Sequence, residues 1–287
     1  ITGTATIQSG ATVNVLPASG LYTVGHRYTI LTAAGGRSGT YDQLVYNAPF
    51  LGLSLDYDPN NVFLDVTRST VAFRQIAQTP NQIAAAGGAE SLGFGNPVYD
   101  AVLYLSEPQA QNAFDQLSGE VHASAKTALI EDSRFVREAA LDRLHSASGT
   151  VWGRGFGSWG HTDGDGNAAR LNRSTGGLFV GGDGLVFDSW RLGALAGYSH
   201  LNFNVRDRSS SGSSDNYHLG LYGGTQWGHL AFRTGTAYTW HDISTDRAVI
   251  FPGFADHLKG DYNACLLYTS DAADDLLCVD LGGRRII

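Results

Sequence analysis

Apolar and polar residues alternate one for one along much of the chain beyond Val151. In Asn216–Trp227 the positions Tyr217, Leu219, Leu221 and Trp227 share one side, and His218, Gly220, Tyr222, Gly224 and Gln226 the other. In His229–Ile243, Leu230, Phe232, Tyr238 and Trp240 oppose Arg233, Thr239 and His241. In Trp190–Val205, Trp190, Leu192, Ala194, Ala196 and Tyr198 oppose Arg191, Gly193 and Ser199. A period of two describes a strand with unlike faces. Together with Val151–Trp159, Gly176–Phe187 and a further start at Phe254–Asn263, the pattern predicts five long strands and a sixth begun; the faces of the first two stay unassigned. Such strands exceed the usual globular length and match the roughly 9–11 residues a tilted strand needs to cross a bilayer. Aromatic residues close both ends of the apolar side, where an outer-membrane barrel carries its girdles. The connections agree: His161–Ser174, Arg206–Asp215 and Ser244–Gly253 are long and polar or irregular, while Asp188-Ser189 and the turn at Gly228 are minimal. Alternation does not say which side is inside. A soluble up-and-down barrel, apolar within and polar without, fits the same pattern.

Upstream the period changes. Glu120–Leu144 has no Gly or Pro and is rich in Ala, Leu, Glu and Arg, which predicts a helix. Ala128, Leu129, Phe135, Val136, Ala139 and Ala140 make no single clean stripe. Lys126, Glu131, Asp132, Arg134, Arg137, Glu138, Asp142 and Arg143 spread around the circumference. Such a helix suits a wet, polar tunnel better than a dry core. An exposed linker helix, held by the pairs Glu131–Arg134 and Arg134–Glu138, is the alternative.

Residues 1–67 read as short, evenly punctuated strands: Thr4–Ile7, Thr12–Leu16, Tyr28–Leu31, Leu53–Tyr57 and Val62–Val66, with Ser9-Gly10, Gly35-Gly36 and Pro59-Asn60 as turns. They fit rungs of a parallel β-helix or the edge of a sandwich. Residues 68–118 read as a linker with short helices, one after Thr79-Pro80 and one with Ser106 as N-cap and Pro108 in its first turn. Residues 119–147 then hold the long helix, 148–264 the long strands, and 265–287 stand apart.

Composition adds limits. With 37 glycines, 11% aromatic and only 16% charged residues, the chain suits a β protein with close backbone approaches, not a disordered segment or a compact helical enzyme. A formal charge of −8 argues against a nucleic-acid partner. No run of about 18 apolar residues is present, which excludes a transmembrane helix and leaves a membrane barrel open. Without any methionine, Ile1 is not a natural start, so the missing leader says nothing about export.

Cys265–Ile287, CLLYTSDAADDLLCVDLGGRRII, resembles translated sequencing adapter. Cys265–Ser270 corresponds to the transposase end used in library preparation, Asp271–Asp275 continues it, and Cys278–Ile287 resumes it after a gap at Leu276-Leu277 the size of a sample index. Both cysteines fall in this tail, so they support no disulfide or metal argument, and the native C-terminus is expected to be missing.

Little catalytic chemistry is legible. Phe156-Gly157-Ser158-Trp159-Gly160 lacks the first glycine of a nucleophile elbow, and no phosphate loop occurs. Asp163, Asp165 and Asn167 have the opening spacing of a calcium loop, but Ala168 and Ser174 stand where its glycine and glutamate belong, so an exposed loop is the better reading. The scattered histidines form no metal pair. No catalytic, cofactor-binding or metal residue is assigned, and no cofactor.

Several segments, in one order, resemble the pertactin-like autotransporters of type V secretion. Gln116–Ser124, continuing through Ala128-Leu129 to Asp132–Phe135, is similar to their pore helix, and Trp152–Gly160 to their first barrel strand. Arg173–Gly177 into Gly181–Asp183, Trp190–Gly193 into Ala196–Ser199, and Ser213–Tyr217 to Gly223–Trp227 are similar to the strands that follow. Tyr28–Gly36 with Gly39–Tyr41 resembles the C-terminal autochaperone region of the passenger. Asn60-Asn61 lies far from the pore helix, so the self-cleavage of some members is not carried over.

The resemblance implies a mainly β protein: the end of a right-handed parallel β-helix passenger in residues 1–67, a linker and pore helix, then an incomplete antiparallel transmembrane β-barrel with about six of twelve strands. It implies an outer-membrane translocator that exports its own N-terminal passenger to the cell surface, is not itself an enzyme, and works as a monomer. Its partners would be outer-membrane lipid, the barrel-assembly machinery, periplasmic chaperones and its own passenger chain. The closing strand and terminal aromatic signal are absent, so this chain should not form a closed pore. Other classes stay open: a surface-anchored protease or esterase with its catalytic domain upstream, an adhesin, or a passive porin.

Overall fold

The computed structural model describes residues 1–16, 23–145, 150–187, 189–227, 230–269 and 276–280. Asp188, Gly228 and His229, in the two expected tight turns, and the side chains of Trp227 and Leu230 lie outside the described residues. The chain divides into two compact units: Ile1–Ser118 with Val249–Asp256, and Gly119–Ala248 with His257–Ile287.

In the first unit, β1 (Ala5–Thr6) lies parallel to β4 (Arg37–Ser38), and β2 (Thr12–Val15) parallel to β5 (Gln43–Tyr46). Consecutive short strands thus stack on the next turn of the chain, as the rungs of a parallel β-helix do. β3 (Arg27–Thr32), β6 (Leu51–Tyr57) and β7 (Asn61–Arg68) form an antiparallel sheet in the order β3-β7-β6. The turn before β7 forms because Asp58 accepts hydrogen bonds from the backbone N–H groups of Asn60 and Asn61, at 2.7 and 2.6 Å.

Residues 68–118 carry a 3₁₀ turn at Phe73–Gln75 and the helices α1 (Pro80–Ser91), α2 (Pro97–Val102) and α3 (Glu107–Leu117). Thr79 caps α1 by accepting from the Gln82 N–H at 3.2 Å, with Pro80 at the first helical position. Before α3, the Gln109 side chain accepts from the Ser106 N–H at 3.0 Å. These helices pack into the unit rather than trailing from it. The fully buried Phe73 ring meets Phe50, Tyr99 and Phe114 at centroid distances of 4.6, 5.1 and 6.3 Å. Arg68 donates to the carbonyls of Phe50, Ser69 and Val71 at 3.0, 2.9 and 2.9 Å and pairs with Glu90.

The second unit is α4 (Val121–His145) followed by a meander of sequential antiparallel neighbours: β8 (Val151–Thr162), β9 (Leu171–Val186), β10 (Trp190–Val205), β11 (Ser210–Trp227), β12 (Leu230–Phe251) and β13 (Phe254–Thr269). β13 runs on past Ala264, burying Leu266, and β14 (Leu276–Asp280) pairs with it. The six strands of the pattern are present, but their ends differ from expectation.

Two of the three expected long loops are corrected. Only Arg206–Ser209 separates β10 from β11, and only Pro252-Gly253 separates β12 from β13; residues 163–170 alone make a longer connection on that side. The polar stretches are strand because their backbones stay paired: Val205↔Ser210 and Asn204↔Ser211 continue the β10–β11 ladder, and Ser210↔Arg247 the next. A paired backbone satisfies its N–H and C=O groups whatever the side chains are. The asymmetry survives as strand length, β12 reaching 22 residues.

The faces follow the alternation. On β11, Leu219 and Leu221 are 64% and 63% exposed, while His218 and Tyr222 are 7% and 4%. On β12, Phe232, Tyr238 and Trp240 point out, and Thr239 and His241 are buried. On β10, Leu192 and Tyr198 point out, and Leu195 and Ser199 are buried. β8 and β9 now receive faces: Trp152, Phe156, Thr175, Phe179 and Asp183 turn inward, Leu178 and Val180 outward.

Candidate functional site

The candidate site is the inner face of the sheet with α4 against it. Its 25 residues make a helix about 37 Å long, enough to run through a hydrocarbon layer of about 30 Å. Among the described residues no helix is long and apolar enough to cross a membrane by itself.

α4 has a stripe that the sequence reading missed. Val121, Ala125, Ala128, Leu129, Ser133, Val136, Ala139 and Arg143 are buried at steps of three and four. The stripe consists mostly of small residues, so it has little hydrophobic contrast, yet it lets the helix lie close to the strands. The interface is also drier than a polar tunnel. Val121 and Leu129 join a cluster with Leu201, Phe203 and Ile243; Val136 and Ala139 join another with Phe179, Leu195 and Tyr222. α4 therefore runs from the strand ends that carry the 163–170 and 206–209 connections toward those that carry the tight turns.

Several helix charges pair with the sheet. Glu131 pairs with Arg173, and Asp142 with Arg154 at 2.5 Å. Glu120, just before α4, accepts from the Ala169 N–H at 2.8 Å and from Arg208 at 3.1 Å. The deepest pair joins Arg143 to Asp183, whose side chains are 8% and 1% exposed. Arg191 at 2.9 Å and the Tyr222 hydroxyl at 3.0 Å also donate to Asp183. Tyr222 in turn accepts from the Trp152 indole at 2.7 Å. That last bond joins β8 to β11 across two intervening strands, which requires a strongly curled sheet.

An aromatic series crosses the same face: Phe135 of α4 lies 4.6 Å from Phe156, Phe156 lies 5.0 Å from Phe179, and Phe179 lies 5.2 Å from His218. Glycine makes room for these rings. A Cβ at Gly193 would come within 2.5 Å of Tyr222 Cζ, and one at Gly197 would overlap the Phe179 ring. Deeper in the wall, His218 bonds Ser199 and Thr239, both at 2.9 Å, and His241 bonds Asn216 at 2.6 Å.

Asp165, weighed as part of a calcium loop, instead accepts from the N–H groups of Ala168 and Asn167, which hold its carboxyl below the usual range. Asn60 donates to the Ala33 carbonyl, and Asn61 to Asp58. The sequence reading placed Arg143, Arg191 and Tyr222 on their elements but did not join them to Asp183. The available signal was a lone acid in a glycine-rich strand, with Arg191 at the start of the next.

Residues 151–268 match the family model described as autotransporter beta-domain. Those residues form an autotransporter β-domain. Two curated relatives, both named extracellular serine protease and both from Serratia marcescens, are 33% identical to this chain over 295 aligned positions. Each match covers 84% of the chain and 28% of the relative, so the chain spans little more than a quarter of their length. No solved structure matches it significantly. The autotransporter β-domain belongs in the bacterial outer membrane with its passenger at the surface or secreted.

Proposed function

We propose that the chain is the outer-membrane translocator end of a protein that exports its own N-terminal passenger. The observation that carries this reading is the sorting of side chains: Leu and aromatic groups outward, ion pairs and a polar helix within. In lipid, unpaired backbone groups are too costly, so strands cross only when each is paired to its neighbours. The resemblance to twelve-stranded members suggests that the exposed side of α4, including Lys126, Arg134 and Glu138, faces further strands in the whole protein.

Export needs no nucleotide in this scheme. The passenger crosses with its C-terminal end emerging first, and residues 1–118 fold outside the membrane. Stacked rungs gain burial only from neighbours, so an end rung braced by β6, β7 and the Phe73 core gives the next turn a surface to fold on. Each turn folded outside opposes return. When export ends, α4 remains in the pore, with Arg143 on Asp183 at one end and Glu120 beneath Arg208 and Ala169 at the other.

The barrel-assembly machinery and periplasmic chaperones are the partners this role requires, with the protein acting as a monomer. The domain itself has no catalytic role in the scheme. The relatives' name supports a serine protease passenger, with its catalytic residues upstream of Ile1. Sequence upstream separates that reading from an adhesin: a Ser/His/Asp domain favours the first, uninterrupted β-helix repeats the second. The tail at 265–287 is proposed as non-native on its codon match alone. Reading the source DNA past the codon for Ala264 tests it, and the same tail in genomic DNA would refute it.

The translocator reading is tested with the complete gene in intact cells. External protease should reach the passenger while Phe187, at a tight turn, stays protected from a membrane-impermeant label after Phe187→Cys. A folded barrel with its passenger retained in the periplasm would overturn the reading.

A further inference from the structure

The outward face does not end at the aromatic row. Tyr198, Tyr217 and Trp240 are register partners across β10, β11 and β12 and mark one edge of the lipid-facing belt. At the other edge Trp190 packs on Phe232 at 6.0 Å. From Trp190 to Tyr198 the strand climbs about 26 Å along its length, or about 20 Å along the membrane normal at a tilt near 40°, close to the height of an outer-membrane apolar band. Beyond Tyr198 and Tyr217 the outward residues of β10 and β11 are polar: His200, Asn202 and Asn204 on the first, Asp215, Ser213 and Ser211 on the second.

There the twisted sheet forms a shallow groove of about 800 Å³. Outward residues from five strands line it, among them Asn172, Asn202, Asn204, Ser213, Ser244 and Asp261. Asn172 donates to Asn204 at 3.4 Å, and Ser244 to Asp261 at 2.7 Å. The cations of the lining are engaged by acids, Lys259 with Asp246 at 3.9 Å and Arg173 with Glu131. Carboxamides and hydroxyls that both donate and accept suit a ligand dense in hydroxyl groups. A bare phosphate would call for uncommitted Arg or Lys.

Height narrows the choice further. Asn202, Ser213 and Ser244 are register neighbours and lie four residues past the aromatic row, about 13 Å along the strands and about 10 Å above the hydrocarbon edge at the same tilt. A phospholipid headgroup layer adds only about 5–8 Å per leaflet. The groove stands above it, on the surface that lipid already covers below.

We propose that this groove binds the glycan headgroup of an outer-leaflet lipid, seating core sugars against the Asn202–Ser213–Ser244 row. The probe is lipopolysaccharide with a complete core, compared with lipid A alone, each titrated onto the protein expressed from the complete gene, in detergent micelles, and read by native mass spectrometry. The core-bearing lipid should bind at least fivefold more tightly. Asn202→Leu and, separately, Ser244→Leu fill the groove at outward positions and should remove that preference while lipid A binding stays unchanged. Heat-modifiable migration on gels reports folding of each variant, and flotation with phosphatidylcholine vesicles reports membrane insertion independently of sugar. Equal affinity for the two lipids in the parent chain would overturn the proposal. So would a preference that survives both folded variants, or a self-association that either variant abolishes, which would make the groove a contact between copies.

Discussion

Asp183 faces Arg143, Arg191 and Tyr222 at once and is almost wholly buried. Removing one partner of a buried pair strands the other charge, at a cost of about 3–5 kcal/mol. Asp183→Ala should therefore loosen the C-terminal half of α4 and lower stability by that order, read as a drop in urea midpoint in detergent. Replacing Asp183 and Arg143 together by Leu and Met should cost less than the single change. At the surface, Asp58 accepts from the Asn61 side chain and the Asn60 backbone, which hold its carboxyl below the ordinary 3.8. Asp65 is lowered likewise by Arg27. A depressed carboxyl stabilises the fold above its unfolded value and stops doing so as pH falls through the folded one. Hydrogen-exchange protection at Asn60 and Asn61, taken relative to the intrinsic rate at each pH, should thus fall below about pH 4, and Asp58→Ala should show the lower protection already at neutral pH. The Asp183 network was not legible in sequence, because Arg143, Asp183 and Tyr222 lie far apart in the chain and only the fold brings them together; the Asp58 turn is local, and Pro59-Asn60 marked it.

Among the elements, strand centres were legible and strand ends were not. Alternation identifies Tyr217–Leu221 because each step changes chemistry, but Ser210–Ser214 has no alternation to read and joins β11 only through its paired backbone. α4 was legible as a helix from its composition, while its buried stripe was not, since Ala125, Ala128, Ser133 and Ala139 differ little from exposed helix residues. The segment 68–118 shows the same limit. Glycine and alanine runs suggest a linker, yet Phe73 gathers Phe50, Tyr99 and Phe114 around it. Phe73→Ala should cost about 3–5 kcal/mol and expose α1–α3 to limited proteolysis. A true linker would be cleaved equally in the parent. Gly197→Ala should act on the barrel side by pushing the Phe179 ring from its place, costing about 1–3 kcal/mol as overpacked cores do, measured by the unfolding midpoint.

For the whole molecule, the account turns on which side of the sheet meets lipid. The sequence supplied the two faces and left their direction open; the curl of the strands around α4, with Trp152 reaching Tyr222 from three strands away, sets it. The most direct measurement uses the protein expressed from the complete gene, in phospholipid vesicles, with every tryptophan but one changed to Phe, and acyl chains brominated near the headgroup as a contact quencher. Trp240, outward on β12, should lose most of its fluorescence, and Trp152, inward beside Tyr222, should lose little. Strong quenching of Trp152 with Trp240 untouched would mean that the apolar face encloses a dry interior, and the translocator account would be wrong.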